Sequence, residues 1–120
     1  MPEDVKGEVR RQAEELVEKH LKPEYVKPPS KDLRWNYITG IHTKWYRSFF
    51  YFVADFASPG PDRLAPTFEA PFAGLEYTRD GTFNLAYMRH TGQWWQVHEG
   101  LSLHEAVKTI RDHQLFHPPA

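Results

Sequence analysis

The stretch KWYRSFFYFVADF, residues 44–56, is the most aromatic part of the chain and decides the fold. Side chains of a strand alternate between its two faces, yet here large apolar side chains occupy both even and odd positions. One strand over roughly 43–55 would have two apolar faces. We expect the even positions to face the core; these are Tyr46, Phe50, Phe52, Ala54 and Phe56. We expect the odd positions to point away from it; these are Trp45, Phe49, Tyr51 and Val53.

Composition narrows the class of protein before any motif is considered. The 120 residues, 40% hydrophobic and 26% charged, fit a single domain over 1–120. The chain has no cysteine, which excludes disulfides, thiolate catalysis and cysteine-rich zinc sites. A net charge of -1 argues against a generally basic surface for duplex nucleic acid. No signal peptide or membrane span stands out, so we expect a cytoplasmic protein without a membrane partner.

Two amphipathic segments predict helices at opposite ends of the sheet region. In VKGEVRRQAEELVEKHL the apolar residues recur every three or four positions, which predicts a helix over 4–22 that Pro23 ends. The segment SLHE offers Ser102 as an N-cap and Glu105 as its reciprocal partner. A second helix is therefore predicted over about 103–113.

Alternation and turn signals predict five strands between these helices. The first occupies about 33–38, before a bend at Gly40, and the stretch quoted above follows. Asp80-Gly81 and Thr91-Gly92 are hairpin signals that separate strands over about 70–78, 82–90 and 93–99. The expected fold is α+β, with an N-terminal helix, a five-stranded largely antiparallel meander sheet over about 33–99, and a C-terminal helix.

Two short helices can cover only one face of this sheet, so the outer face needs another explanation. Large side chains left in water forfeit about 1.5 to 3 kcal/mol each. We expect a ligand site or interface there, formed by Trp45, Arg47, Phe49, Tyr51, Trp94 and His98. A second copy of the chain, giving a homodimer, is the favoured occupant because interfaces are enriched in aromatic residues and arginine. A small ligand or single-stranded nucleic acid is the alternative. Strong curvature could instead bury these residues, and a β-bulge could exchange the faces.

The sequence contains no recognisable motif for catalysis or for metal binding. The pairs His98-Glu99 and His104-Glu105 lack the spacing of a zinc protease, and Pro118 opposes a helix that would join His113 to His117. We predict no catalytic residue, no metal ligand and no cofactor. A small enzyme that uses histidine and glutamate residues remains the alternative to a binding or interaction module.

The run FEAPFAGLEYTRDGTFNLAYMRHTGQWWQVHEGLSLHEAVKTIRDHQLFHP combines a short strand, hairpins, a Trp-rich strand, a capped helix and a closing Phe-His-Pro. In this layout the chain resembles, over residues 33–117, small bacterial families catalogued only as domains of unknown function. The resemblance implies a bacterial cytoplasmic α+β protein. It carries no activity and no functional residue.

Overall fold

The structure, a computed structural model, describes residues 3–26, 37–57, 67–78, 81–89 and 91–118. Its sheet has five antiparallel strands and its helices lie before and after them, so the α+β prediction is confirmed. The elements are α1 Glu3–Leu16, a π-helical turn Val17–Leu21, α2 Lys22–Tyr25, β1 Tyr37–Tyr46, β2 Phe49–Ala57, β3 Thr67–Tyr77, β4 Phe83–Met88, β5 Trp94–Leu101, α3 Leu103–Asp112 and a 3₁₀ turn Gln114–Phe116.

Strand order in the sheet follows the order in the chain, β1-β2-β3-β4-β5. The two glycine turns join β3 to β4 and β4 to β5, as predicted. Gly81 and Gly92 have φ values of 74° and 83°, which glycine adopts without steric penalty. Each turn is closed by a backbone hydrogen bond of 2.9 Å, from Thr78 N–H to Thr82 and from Arg89 N–H to Gln93.

The prediction of one strand over 43–55 is wrong, because a hairpin turn divides the stretch at Arg47 and Ser48. Arg47 has a φ of 56°, the backbone conformation that lets β1 reverse into β2. Tyr46 is therefore paired with Phe49, and Trp45 with Phe50. The pairing exchanges the predicted faces of the two β1 residues.

β1 also differs from the predicted first strand at its beginning. Residues 33–36 lie outside the described part of the chain, and the strand continues through Gly40 to Tyr46. A shift in register between Ile38 and Gly40 takes the place of the predicted bend. It leaves Ile38 and Ile41 both buried in the core.

Both helical segments pack on one face of the sheet. The even row of β2, from Phe50 to Phe56, lies in the same cluster as the buried faces of α1 and α3, which confirms it as the core face. Tyr46 is the exception to that predicted row, since it lies on β1 and is 59% exposed. The helical residues of the core are Val9, Ala13, Leu16, Val17, Leu21, Ala106 and Ile110.

The N-terminal helical segment continues beyond Pro23, where it was predicted to end. A proline inside a helix removes one backbone donor and crowds the preceding turn. Here the π turn ends at Leu21, and Lys22, whose N–H is bonded to the Val17 carbonyl, separates it from Pro23. This wider turn accommodates the ring. Helical structure therefore extends to Tyr25.

α3 begins as predicted, with a complete capping box. The Ser102 hydroxyl accepts a hydrogen bond from Glu105 N–H, and the Glu105 carboxylate accepts one from Ser102 N–H, both at 3.1 Å. The helix ends at Asp112, one residue before the predicted limit.

Candidate functional site

Three aromatic rings form a continuous row on the outer face of the sheet. Phe49 and Tyr51 stack with their ring centroids 5.9 Å apart, and Tyr51 stacks on Trp94 at 5.3 Å. Phe49 and Tyr51 are neighbours on one face of β2, whereas Trp94 belongs to β5 at the far edge of the sheet. The indole therefore crosses β4 to reach its partner.

Gly74 makes this close approach possible. It is buried in β3 directly opposite Tyr51 on one side and Ala86 on the other. A Cβ at this position would lie 3.2 Å from Tyr51 Cδ1 and 3.5 Å from Trp94 Cη2. The rings occupy the space that a side chain would fill, so glycine here is favoured by packing and not by its backbone angles.

Small and polar residues complete a shallow cavity beside the rings. Its volume is about 310 Å³. We call it the cup and define it by its lining residues, which are Phe49, Tyr51, Gly74, Glu76, Asn84, Ala86, Trp94 and Gln96. Gly74 and Ala86 lie at its centre in the sheet register, between Tyr51 of β2 and Gln96 of β5.

The polar residues of the cup are held by hydrogen bonds. The Asn84 amide donates to Glu76 Oε1 at 3.3 Å, and its oxygen accepts from Gly100 N–H, also at 3.3 Å. Gln96 Nε2 donates to Glu99 Oε1 at 2.9 Å. These bonds orient one carboxylate and two amides at fixed places on three neighbouring strands.

The electrostatics of the cup disfavour negative charge on its phenol. Burial raises the pKa of Tyr51, and the neighbouring Tyr46 and Glu76 raise it further. Each of these effects penalises the phenolate. Tyr51 therefore remains a neutral aromatic ring and hydrogen-bonding group over the ordinary pH range.

The structure brings three of the six predicted site residues together. Phe49, Tyr51 and Trp94 line the cup. Arg47 lies in the β1–β2 turn, with its guanidinium 5.4 Å from the centre of the Tyr46 ring. It borders the outer face beside Phe49, which pairs with Tyr46.

Trp45 was expected on the outer face, and the structure corrects this. Its ring meets Phe50 edge-on at 4.7 Å and packs against the core, with the Lys6 ammonium 5.7 Å from the ring centre. The indole Nε1–H is buried and has no hydrogen-bond partner in the described part of the chain. The hairpin turn at Arg47 explains the error, since it breaks the alternation across the quoted stretch.

His98 was also expected on the outer face and lies on the other. Register shifts between β4 and β5 place it opposite the buried Leu85, while Gln96 stays opposite Ala86. Its ring centroid is 6.2 Å from that of Phe116, a core residue. The bulge anticipated as an alternative therefore occurs in this strand and exchanges the face of His98.

Another part of the outer face is itself buried. Val53 has no exposed surface, yet it lies outside the core cluster. In the register it stands between His42 of β1 and Pro71 of β3. The outer face thus combines a closed region around Val53 with the open cup.

A charged cluster beside Val53 could not be seen in the sequence. His42 Nδ1 is 2.9 Å from Asp55 Oδ2, and its Nε2 is 3.5 Å from Glu69 Oε1. One ligand atom from each of the three residues lies within 4.8 Å of the others, as metal binding would require. Lys44 Nζ, however, is 3.3 Å from Glu69 Oε2, so the Glu69 carboxylate is already paired with a lysine. The missing signal was the β1–β2 turn, without which His42 and Asp55 cannot be placed together.

The histidines considered as metal ligands have structural roles at the end of α3. His117 Nε2–H donates to the Ile110 carbonyl at 2.8 Å, and its Nδ1 is hydrogen-bonded to the Tyr25 hydroxyl at 2.7 Å. His113 Nδ1 accepts a 3.4 Å hydrogen bond from Leu115 N–H. These bonds fasten the last turn of the described chain to α2 and α3.

Among the described residues, no helix is long and apolar enough to cross a membrane. Three comparisons with known proteins bear on the identity of the chain. No curated protein and no solved structure matches the chain. The family described as DUF3024, a domain of unknown function, matches residues 1–118. The resemblance to families of unknown function is thereby confirmed, and the chain belongs to the DUF3024 family.

Proposed function

We propose that the chain is a non-enzymatic binding module whose binding surface is the cup. The observation that carries this proposal is the joining of three aromatic rings, a small-residue floor and three oriented polar groups around one cavity of about 310 Å³. Ligand sites are commonly concave, mostly apolar, and supplied with a few fixed polar groups. The cup has these properties at the lower end of the usual size, about 300 Å³.

The chemistry of the lining supports binding in preference to catalysis. Its titratable side chains are one carboxylate, Glu76, and one phenol, Tyr51, whose pKa is raised. Acid–base catalysis works best with groups that titrate near the operating pH. The lining supplies shape and polarity without a histidine or a second carboxylate.

The lining also argues against single-stranded nucleic acid as the ligand. Such surfaces combine stacking aromatics with a positively charged groove that follows the phosphates. The cup has the aromatics, but none of its eight lining residues is lysine or arginine. A phosphate placed there would face Glu76.

The test is a ligand-observed NMR screen of small molecules against three proteins, namely the wild type and the variants Trp94→Ala and Leu115→Ala. Trp94→Ala removes one wall of the cup, and Leu115→Ala removes an exposed apolar side chain of the 3₁₀ turn. We expect ligands of the wild type to bind Leu115→Ala equally and to lose most of their affinity for Trp94→Ala. Ligands that bind all three proteins alike, or a screen without ligands at millimolar concentration, would refute the proposal.

A second candidate function, self-association, is favoured by the exposed edge strand β5. Trp95 is 50% exposed and Val97 is 38% exposed, and the segment from Trp94 to Val97 contains no charge. Unpaired edges of this kind are templates for another strand unless charges or prolines protect them. Antiparallel pairing of two β5 strands would extend the sheet beyond this edge.

Light scattering tests this second candidate. We expect a concentration-dependent dimer, which Val97→Lys should convert to a monomer by placing a charge at the edge. Leu115→Lys adds the same charge elsewhere and should leave the dimer intact. A wild-type monomer at all concentrations would exclude self-association and leave the cup proposal unaffected.

A further inference from the structure

The cup has the charge distribution of a site for cations. Glu76 is the one charged residue among its eight lining residues. Asn84 occupies Oε1 of this carboxylate and leaves Oε2 without a partner among the described side chains. The nearest lysine in the register, Lys44 opposite Tyr51, is directed to Glu69 instead. A ligand in the cup therefore meets a carboxylate that has no ion-pair partner among the described residues.

The aromatic rings add to this preference. The face of an aromatic ring is electron-rich, and Trp, Tyr and Phe attract ammonium groups within about 6 Å of the ring centre. All three ring types line the cup in one stacked row. Trp94 is still 38% exposed, so part of its surface is available to a ligand.

We propose that the cup binds a small organic cation, an amine or quaternary ammonium compound. This inference rests on the proposed function of the cup as a binding surface. The ligand's ammonium group lies against the aromatic row and near Glu76, and the amides of Asn84 and Gln96 hydrogen-bond to polar groups of the ligand. A neutral aromatic ligand would use the rings but leave the carboxylate unmatched. An anion would be repelled by the same carboxylate.

Choline and 3,3-dimethylbutan-1-ol provide a matched pair of probes, because they share size and shape and differ in charge. Titrations followed by two-dimensional NMR measure both affinities on the wild-type protein. We expect choline to bind at least tenfold more tightly, with shifts in the resonances of Tyr51 and Trp94. Equal affinities would overturn the cation proposal while leaving a binding cup, whereas absence of choline binding would overturn it directly.

Isosteric variants assign the preference to the cup. Glu76→Gln keeps the shape of the side chain and removes its charge, so we expect choline affinity to fall about tenfold while affinity for the neutral alcohol stays unchanged. Glu14→Gln removes an exposed carboxylate of α1, away from the cup, and should leave both affinities intact. Equal losses in the two variants would attribute the effect to net charge and refute the site. The comparison on the wild type remains decisive if a variant fails to fold.

Discussion

Replacing Gly74 by alanine tests whether the aromatic row depends on close approach to a bare backbone. Gly74 is not among the glycines with positive φ, so alanine suits its backbone and lowers the entropy of the unfolded chain. This change contributes about 0.5 to 1 kcal/mol of stability. Against it, the new methyl group would lie 3.2 Å and 3.3 Å from two atoms of the Tyr51 ring, which must move by a few tenths of an ångström.

The displaced ring decides the net effect. Tyr51 stacks on Trp94, and an aromatic pair is worth about 0.5 to 1.5 kcal/mol beyond its buried area. If the stack is lost, the difference between the two effects runs from a gain of about 0.5 to a loss of about 1 kcal/mol. Because that range includes zero, one variant alone cannot test the argument.

A double-mutant cycle with Tyr51→Ala separates the two effects by urea denaturation. With Tyr51 removed, Gly74→Ala should stabilise the protein by about 0.5 to 1 kcal/mol, and the coupling energy should equal the stacking energy, about 0.5 to 1.5 kcal/mol. Gly7→Ala in α1 is the matched control, because its Cβ would meet nothing within 4 Å. That control should stabilise by about 1 kcal/mol in both backgrounds. Additivity of Gly74→Ala and Tyr51→Ala within about 0.3 kcal/mol would refute the reasoning.

Three further predictions concern the ends of the fold, its core and its pH dependence. Ser102→Ala should cost about 1 kcal/mol of unfolding free energy. The hydrogen bonds from Ser102 lower the pKa of Glu105. The contribution of that carboxylate to folding stability is therefore present above pH 4.5 and is lost as the pH falls. Urea denaturation at pH 7 and at pH 3 would measure this loss. Trp45→Phe should change stability by less than about 1 kcal/mol, because it also removes a buried N–H without a partner, whereas Trp45→Ala should cost about 3 kcal/mol; equal losses would contradict this. The pKa of Tyr51 in the folded protein is raised above 10.0, so the phenol of the unfolded chain ionises first and the free energy of unfolding falls as the pH rises past that value. Tyr51→Phe should lessen this fall between pH 9 and 11. An unchanged fall in the variant would contradict the prediction.

The parts of the fold that sequence could predict are those whose signals are local. The capping box at Ser102 and the glycines at 81 and 92 satisfy requirements of a single turn, and each occurs where expected. Side-chain alternation also identified the core face of β2, because its even positions remain in step from Phe50 to Phe56.

Errors arose wherever an unmarked irregularity changed that alternation. Arg47 adopts a positive φ without being glycine, so its turn gives no signal in composition. Trp45 and Tyr46 were consequently assigned to the wrong faces. The register shifts beside Leu85 moved His98 in the same way, because one additional residue reverses every later position.

The packing role of Gly74 could not be predicted from the sequence, for a different reason. Its importance comes from the rings of Tyr51 and Trp94 on two other strands, and alternation within β3 carries no information about such contacts. The cup could be anticipated as an aromatic face but not as a cavity, because its floor depends on which small residues meet across strands.

The strictly sequential order of the strands has a consequence for how the chain folds. Each strand pairs with its neighbour in sequence, and three of the four connections between strands have five residues or fewer, so the entropic cost of closing them is small. Proteins rich in such local pairings have low contact order and fold quickly for β-rich structures. Docking of α1 on the sheet, in contrast, joins distant parts of the chain, and we expect it to follow formation of the meander. Ala13→Gly should then mainly accelerate unfolding while Leu75→Ala slows folding, the reverse result placing α1 in the folding nucleus.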